Sequence, residues 1–389
     1  MALNLVRNSR VFFTTNVSAT EGTVTKTGIS SSNTFEIQVL DGFSFSQNTT
    51  SETVTLNEAG STPSRGQRSF NTSLDPVEFS FSTYIRPKFD PLTGVGTDDI
   101  VKCEEEVLWN AFAGTGAIGQ AGAGWVRTAG ATPVSTLSFA NSNAHQLQKF
   151  GMLIWVDNVL FTIDNCALDQ ATIDFGLDGI ATIAWTGRGT KLSIFEGTTL
   201  SALNVFGGTD GFSGTAGVKD TAAKYLANKL STCVMVKGID GVDTTSHTIP
   251  ITGGSITFAN NLTYLTPANL GQVNQAVTYF TGTRAISGSI NAYLRTGESN
   301  SSSDILSDIL SGAATSQAQA YEITLNIGGG ASAGTRVELN LPAAVLSIPT
   351  VNAEQVVSTT INFVAHGYNG SAYDITATNE ATLKYYAVA

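Results

Sequence analysis

The sequence predicts a mainly β protein made of two similar units in tandem, each with one short α-helix. Apolar residues alternate with polar ones along many segments, which is typical of antiparallel strands with one buried face. Helical patterns are few, and the same order of patterns occurs twice. The alternation is clearest in segments 35–39, 77–81, 159–163, 323–327, 337–341 and 357–363.

The two units are predicted to span residues 1–226 and 227–389. A chain of 389 residues exceeds the usual ~150-residue domain, which favours this division. The first unit is the longer one because it holds three additional segments. These are a long polar loop at 46–69, a Gly/Ala-rich insertion at 114–143 and a linker at 196–226.

Equal spacing of matching residues indicates an internal repeat. Tyr84 and Tyr293 stand 209 positions apart, and so do Arg86 and Arg295. The spacing differs at other matches, as expected when loops differ in length and strands persist. Weaker matches pair Phe13 with Phe258 and Ile183 with Ile361. A true repeat would let one chain supply two quasi-equivalent subunits.

Three helices are predicted. The first begins at a capping Thr97 and ends at Gly114, and the second runs from Ser303 to Gly312 in the equivalent place of the second unit. A third helix is predicted over 220–230. The apolar face of the first helix would consist of Ile100, Cys103, Val107, Leu108 and Phe112.

Composition excludes several classes of protein. Thirty-one acidic and 20 basic residues give a net charge of −11, which argues against gripping nucleic acid through its phosphates. Charged residues make up 13%, against about 25% in typical globular proteins, so Ser, Thr, Asn, Gln and Gly must cover much of the surface. The pattern of a signal peptide and a run of about 18 apolar residues are both missing, so a soluble chain without a membrane span is expected.

Candidate chemistry is weak throughout. The G-x-G-x-x-G string at 114–119 follows a helix instead of a strand, which favours a plain glycine-rich loop over a dinucleotide site. The remaining candidates are dispersed, and they lack the spacing of metal ligands, calcium loops or disulfides. They are His145, His247 and His366, the aspartates at 157, 164, 169, 174 and 178, and Cys103, Cys166 and Cys233. We therefore expect no enzyme activity, no cofactor and no metal.

The long polar loop is the strongest functional candidate. It carries Glu52 and Glu58 on one side of a polar excursion and Arg65 and Arg68 on the other. Such residues can make charge-complementary contacts with a neighbouring copy, which set register more than affinity. A solvated hairpin without a partner is the alternative interpretation.

Several stretches resemble the major tail tube proteins of tailed bacteriophages. They lie at 35–39, 65–70, 79–87, 251–261, 279–294 and 379–386. The resemblance implies two tandem tail-tube-type β-sandwich or half-barrel domains, which form a continuous β-barrel when copies assemble into a ring. Family members with one unit form hexameric rings, so the resemblance favours a pseudo-sixfold trimer over a hexamer for this chain.

The resemblance also implies a function. The protein would be a structural component of the virion tail, synthesised in the host bacterial cytoplasm, that polymerises as stacked rings into a tube and contacts other tail proteins. Viral DNA would pass through an acidic, polar lumen without specific binding. Glu52, Glu58, Arg65 and Arg68 would then contribute to contacts between rings.

Two alternatives share a β-sandwich architecture. In the first, the protein is an adhesin or carbohydrate-binding virion protein. Its stacking platforms would be Trp109, Trp125, Trp155 and Trp185. In the second, it is the tube protein of a contractile injection system.

Overall fold

The computed structural model describes residues 9–19, 21–25, 28–30, 33–54, 68–90, 100–114, 125–130, 132–139, 147–156, 159–194, 224–237, 245–266, 276–296, 301–313, 320–329, 334–353, 356–367 and 380–388.

Within these residues the chain is mostly β, as predicted. The strands of the first part are β1 (Ser9–Thr14), β2 (Thr34–Ile37), β3 (Ser44–Ser46), β4 (Thr49–Val54), β5 (Arg68–Leu74), β6 (Val77–Tyr84), β7 (Pro87–Asp90), β8 (Ile100–Cys103), β9 (Trp125–Thr128), β10 (Val134–Phe139), β11 (Phe150–Val156), β12 (Val159–Gly176), β13 (Thr182–Gly189) and β14 (Lys191–Ile194). Those of the second part are β15 (Thr232–Lys237), β16 (Ser246–Ile249), β17 (Ile251–Ala259), β18 (Leu262–Leu265), β19 (Thr278–Thr281), β20 (Ala285–Tyr293), β21 (Ala320–Ile327), β22 (Arg336–Leu346), β23 (Thr350–Ala353), β24 (Val357–Ala365) and β25 (Ala381–Tyr386). Helix α1 spans Glu106–Ala113, and helix α2 spans Ser302–Ala313.

A long antiparallel sheet, here called the central sheet, crosses the molecule. Its strand order is β3-β6-β13-β12-β17-β20-β24-β23. The pair β12–β17 joins a strand of the predicted first unit to a strand of the predicted second unit, so one sheet runs through both. The predicted limits at 226 and 227 stay a prediction, because backbone pairing alone does not define a domain boundary.

Two further sheets branch from the central one. The sheet β2-β1-β11-β12-β14 shares strand β12, and the sheet β16-β15-β21-β22-β25-β10-β9 is linked to it by β22, which also pairs with β24. Strands β9 and β10 come from the first half of the sequence, yet they extend the sheet of the second half beyond β25.

Strand β12 serves two sheets because it bends. Asn165 lies in the left-handed region with φ of 46°, a conformation that Asn tolerates better than most residues. The backbone carbonyl of Asn165 accepts a hydrogen bond from the Tyr264 hydroxyl at 3.0 Å. The residues of β12 up to Cys166 pair with β11 and β14, and those from Ala167 onwards pair with β13 and β17.

The same pairing order occurs twice. In the central sheet, β6 and β13 lie between β3 and β12, and β20 and β24 lie between β17 and β23. When the offset of 209 is applied to β6 and β20, Phe81 corresponds to Ile290, and their cross-strand partners Trp185 and Ile361 correspond in turn. The match of Ile183 with Ile361 differs from this register by two residues.

The match of Phe13 with Phe258 was also wrong. Phe13 lies in β1, which pairs with β2 and β11, whereas Phe258 lies in β17, which pairs with β12 and β20. The pairing order makes β15 the counterpart of β1, because β15 pairs with β16 and β21. An aromatic residue followed by small polar residues suits many strands, so this short similarity carried little positional information.

The helix predictions had mixed outcomes. Helix α2 matches its prediction, and Gly114 ends α1 in a left-handed conformation with its N–H donating to Asn110. The start of the first helix was wrong, because residues Ile100–Cys103 form strand β8 and pair with β7, whereas Thr97 lies outside the described residues. The apolar spacing of Ile100 and Cys103 does not by itself distinguish a helix from a buried strand.

The third predicted helix is also corrected. Residues 224–226 form no helix, Ala227 is extended and forms a bridge with Ile180, and Asn228–Leu230 form only a 3₁₀ turn. Residues 220–223 lie outside the described residues. The Lys224 N–H donates to Pro87, and the Leu226 carbonyl accepts from Ala181. Pairing with distant backbone replaces the helical hydrogen bonds, so tertiary contacts override a weak local preference here.

The core beneath the central sheet is aromatic and includes helix α1. The Trp109 ring meets the Trp185 ring edge-on at 4.8 Å and the Phe258 ring at 5.5 Å. All three side chains are fully buried. Each buries roughly 150–250 Å² of side chain, so this cluster contributes strongly to the hydrophobic stabilisation of the fold.

Three consecutive glutamates at the start of α1 tie the helix to distant strands. Glu104 makes an ion pair with Arg86 at 2.8 Å, and Glu106 makes one with Arg127 of β9. Glu105 accepts a hydrogen bond from the Tyr385 hydroxyl of β25. Burial raises the pKa of Glu105 to about 8, because the charged carboxylate would lose its hydration.

Replacing Glu105 should change how stability depends on pH. A raised folded-state pKa stabilises the fold fully below the ordinary value of 4.5, and this contribution is lost as pH rises towards about 8. The expected slope is about 1.4 kcal/mol per pH unit. Urea unfolding at several pH values should show a flatter dependence for Glu105→Gln than for the natural chain. Glu21→Gln, at the exposed surface, is the control, and parallel curves for all three proteins would contradict the expectation.

Two Phe–Gly cross-strand pairs in the central sheet allow the predicted repeat to be tested by the free energy of unfolding. Phe79 lies opposite Gly187 in β6–β13, whereas the equivalent pair in β20–β24 is Gly288 opposite Phe363. In each pair a Cβ on the glycine would clash with the facing ring, so one ring fills the space of both residues. We expect Phe363→Gly to lower the free energy of unfolding by about 3–5 kcal/mol and Gly288→Phe to overpack the core.

The double exchange removes the clash with the ring of Phe363, whereas the Ser255 backbone oxygen, 2.5 Å from the position of a Cβ on residue 288, remains. Urea unfolding should therefore show that Phe363→Gly combined with Gly288→Phe is more stable than the sum of the single effects allows. Additive losses would mean that the two pairs are not equivalent in packing.

Candidate functional site: a hydroxyl-rich face, two sheet edges and a hairpin

One face of the central sheet carries mainly hydroxyl and amide side chains, and it is here called the hydroxyl face. On each of its strands the buried residues alternate with these more exposed ones. Its polar members are Ser44, Ser46, Glu78, Ser80, Ser82, Gln170, Thr172, Asp174, Thr182, Thr186, Arg188, Ser255, Thr257, Ser287, Ser289, Asn291, Thr350, Asn352, Ser358, Thr360 and Asn362.

Hydrogen bonds between neighbouring strands order this face. The Thr172 and Thr257 hydroxyls lie 3.1 Å apart across the β12–β17 pair. The Thr360 hydroxyl donates to the Asn291 side-chain oxygen at 2.8 Å across β20–β24. Because such pairs satisfy one another, the face presents polar groups without concentrating charge.

The charge on the hydroxyl face is small. Glu78, Asp174 and Arg188 are its charged members, and Glu78 lies 3.3 Å from Arg188. Their side chains are 64% and 38% exposed, so the pair neutralises charge locally and contributes little stability. The face is therefore polar and nearly neutral, which is a milder property than the acidic surface that the net charge of the chain led us to expect.

Both edges of the central sheet are open among the described residues. Strand β3 pairs with β6 alone, and β23 pairs with β24 alone. An unpaired edge presents backbone N–H and C=O groups to any further strand. Large apolar side chains surround the β23 edge in exposed positions, which solvent alone does not favour. They are Ile348, Val351, Val356 and Val357. Val364 is also exposed, but it lies further along β24, between β20 and β22.

The predicted site residues fall on a hairpin beside the other edge. Glu52 pairs with Phe70 and Val54 pairs with Arg68 in β4–β5, so these four side chains share one face. Phe70 is 52% exposed and Val54 is 39% exposed. The structure therefore brings Glu52 and Arg68 together around an apolar pair.

Glu58 and Arg65 lie outside the described residues, so the proximity of all four charges stays a prediction. Sequence reasoning missed Val54 and Phe70. The available signal was their alternation with Glu52 and Arg68, which places an apolar residue beside each charged one.

The other candidate residues lie in structural roles where they are described. Gly114 caps α1, Asp164 accepts the Val24 N–H, and Asp169 accepts the Leu262 N–H. Burial raises the pKa of the Cys103, Cys166 and Cys233 thiols, which keeps them in the neutral form. His145, Asp157 and residues 115–119 lie outside the described residues.

The described residues contain no group of three His, Cys, Asp or Glu side chains suited to a metal ion. Of the two other histidines, His247 is buried with Nε2 3.3 Å from Asp308, and His366 is exposed. A search of the same residues finds no helix with the length and apolarity that a membrane crossing requires.

The tryptophans are poorly placed for stacking on a sugar. Trp109 and Trp185 are fully buried, and Trp125 is 8% exposed. Trp155 is partly buried against the Arg10 guanidinium, whose carbon lies 5.7 Å from the ring centre. A stacking platform needs an accessible ring face, which the two core tryptophans lack.

Comparison with known proteins adds a relative that matches nearly the whole chain. The sequence is 32% identical over 380 residues to the tail tube protein pb6 of Escherichia phage T5. The match covers 94% of this chain and 73% of the relative. No protein-family model matches the sequence.

Proposed function

This chain belongs to the phage tail tube proteins, and we propose that three copies of it close each ring of the tube through the edges β3 and β23. Family membership makes it a structural protein of the virion tail, where it assembles with itself and with other tail proteins. The threefold symmetry, the register of the contacts and the lining of the lumen are the further parts of the proposal.

The observation that carries the proposal is the β12–β17 pair within one chain. In this pair a strand of the predicted first unit lies beside a strand of the predicted second unit, with Ile173 opposite Ile256. The pair supports the proposal as an example of how two units would join. The repeat gives both residues a counterpart at an open edge. Val351 is the counterpart of Ile173, because Val351 pairs with Thr359 of β24 and Ile173 pairs with Ile183 of β13. Phe45 is the counterpart of Ile256, because Phe45 pairs with Phe79 of β6 and Ile256 pairs with Gly288 of β20.

Between two chains, Val351 of one copy would therefore lie opposite Phe45 of the next. Among the described residues, each chain has one such internal junction and one open edge of each kind. Identical copies that join head to tail close into a ring if the rotation between units fits. Six units close the ring in the resemblance described above, so two units per chain require three chains.

In such a ring the hydroxyl face lines the lumen. Nearly neutral hydroxyl rows offer DNA few cations with which to exchange its counterions, so the genome passes without specific binding. The low charge of this face supports a conduit more than a surface that repels DNA strongly. Catalysis has no part in this proposal.

The long polar loop remains the proposed contact between successive rings. Glu52, Glu58, Arg65 and Arg68 would supply its charge complementarity and fix the rotation of one ring on the next. Family membership does not favour the adhesin alternative, and the buried tryptophans provide no support for sugar binding. The tube of a contractile injection system has no specific observation in its favour.

Electron micrographs of purified protein test the symmetry. End-on views of assembled tubes should average to a threefold ring with six similar lobes. True sixfold averages with twelve lobes would show that six chains form the ring.

A charge at the edge should prevent ring closure. Val351→Lys places an ammonium group at the proposed dry contact with Phe45, so we expect protein that is folded but unassembled by light scattering and negative stain. Val388→Lys is a matched control, because Val388 is 40% exposed and Val351 is 44% exposed. Normal tubes from Val351→Lys would contradict the proposed register.

A further inference from the structure

We propose that the hairpin β4–β5 of one copy packs, through the face that carries Val54 and Phe70, on the β22–β24 end of the neighbouring copy in the same ring. This inference rests on the proposed function, because it needs the two copies to meet at β3 and β23. It adds a lateral contact to a hairpin that sequence reasoning assigned to contacts between rings.

The chain contains a second hairpin in the equivalent place, and that one is packed. Hairpin β18–β19 follows β17 as β4–β5 follows β3. It lies across the bend of β12, at the junction between the two halves of the central sheet. Leu262 and Tyr279 of this hairpin pack with Leu147 and Ala167.

Hydrogen bonds fix the packed hairpin to the other half. The Tyr264 hydroxyl donates to the Arg188 carbonyl at 2.7 Å, and the Leu262 N–H donates to the Asp169 carboxylate at 2.7 Å. The Tyr279 hydroxyl donates to the Leu147 carbonyl at 2.8 Å. The β12–β17 junction thus consists of a strand pair and a hairpin that covers it.

Hairpin β4–β5 lacks such a cover within its own chain, among the residues that the structure describes. Every side chain of β4 is exposed, and so are those from Arg68 to Asn71 in β5. A two-stranded hairpin without a packed face is marginally stable in water. An apolar pair such as Val54 and Phe70 on one of its faces indicates that this face is covered in the assembled protein.

The register of the repeat identifies the surface that would receive it. In the pair β21–β22, Tyr321 lies opposite Ala344 next to a β-bulge; in the pair β11–β12, Phe150 lies opposite Cys166 next to a β-bulge at the equivalent position. Ala344 is therefore the counterpart of Cys166. One residue further along, Val345 is the counterpart of Ala167, and its cross-strand partner Val364 is the counterpart of Arg188.

The surface that hairpin β18–β19 covers includes Arg188 and is partly polar. The equivalent surface at the β22–β24 end has Val364 in that place and is therefore apolar. Val364 is 47% exposed, and Ile348, in the segment between β22 and β23, is 61% exposed. Val54 and Phe70 match this surface chemically, and Glu52 and Arg68 would lie at its border. Because the hairpin directly follows β3, it reaches the same neighbour that β3 pairs with. Glu58 and Arg65, which lie outside the described residues, would remain for the contact between rings.

A photo-crosslinker at position 70 tests the contact. Tubes assembled from protein with benzoylphenylalanine in place of Phe70 are irradiated, separated on a denaturing gel and mapped by peptide mass spectrometry. We expect the label on a peptide of another copy that contains Val345, Ile348 or Val364. Products should end at the number of chains in one ring, because a lateral contact closes on itself.

The control carries the same photo-crosslinker at Ser69, which is exposed on the opposite face of the hairpin. It should not label that peptide. A ladder that continues beyond one ring, a label on a different surface, or the absence of intermolecular products from position 70 would overturn the lateral contact.

Micrographs of the same samples distinguish the two proposals. Threefold tubes with the crosslink elsewhere would refute the hairpin contact and leave the proposed function intact. Protein that never forms tubes, with or without the photo-crosslinker, would overturn both.

Val364→Lys gives a second measurement. It should lower the crosslink yield from position 70 at least tenfold, whereas Val388→Lys should leave the yield unchanged. An unchanged yield for Val364→Lys would also contradict the contact.

Discussion

Backbone pairing between β12 and β17 is the constraint on which the rest of the structure depends. It turns two similar sets of strands into one sheet, and it fixes which backbone groups are satisfied inside the chain. The bend at Asn165 makes this pairing possible, because it lets β12 leave the sheet of β11 and enter the central sheet. The arrangement leaves β3 and β23 at the two ends of the central sheet, where the exposed side chains near them can contact another copy.

The low charge of the sequence has a structural counterpart in the hydroxyl face. Side chains such as Thr172 and Thr257 form hydrogen bonds to one another across strands, so this face of the sheet is polar although it carries few charged residues. The charges that the chain does carry include several in packed positions. The Glu104–Arg86 pair and the Glu105–Tyr385 hydrogen bond connect helix α1 to neighbouring elements.

Much of the strand content was predictable from sequence, because alternation at segments such as 77–81 and 357–363 reports one buried face directly. The offset between Tyr84 and Tyr293 is compatible with the repeated pairing order, in which β6 and β20 take equivalent places. Boundaries set by distant partners were not predictable. Ile100 and Cys103 have spacing that suits a helix, but backbone pairing with β7 makes this segment a strand. Around Leu226, hydrogen bonds to Ala181 and Pro87 prevent a helix.

The site was partly predictable for the same reason. Glu52 and Arg68 attracted attention as charges in a long polar loop, and the strand register places them on one face. Val351 and Val364 gave no comparable signal, because an exposed valine in a strand has the same sequence pattern as a core valine. The exposure of Val351 follows from its place in the edge strand β23, whereas Val364 is exposed although it pairs with both β20 and β22.

The donation of β9 and β10 to the sheet of the second half has a consequence for how a ring would come apart. Inside one chain, the two halves share a strand pair, a packed hairpin and this added pair beside β25, so separating them means unravelling the polypeptide. Strand β14, the counterpart of β25, pairs with β12 alone among the described residues. A ring of such chains would therefore alternate strong seams with weaker ones, and mechanical or chemical stress would release whole chains and never half of one.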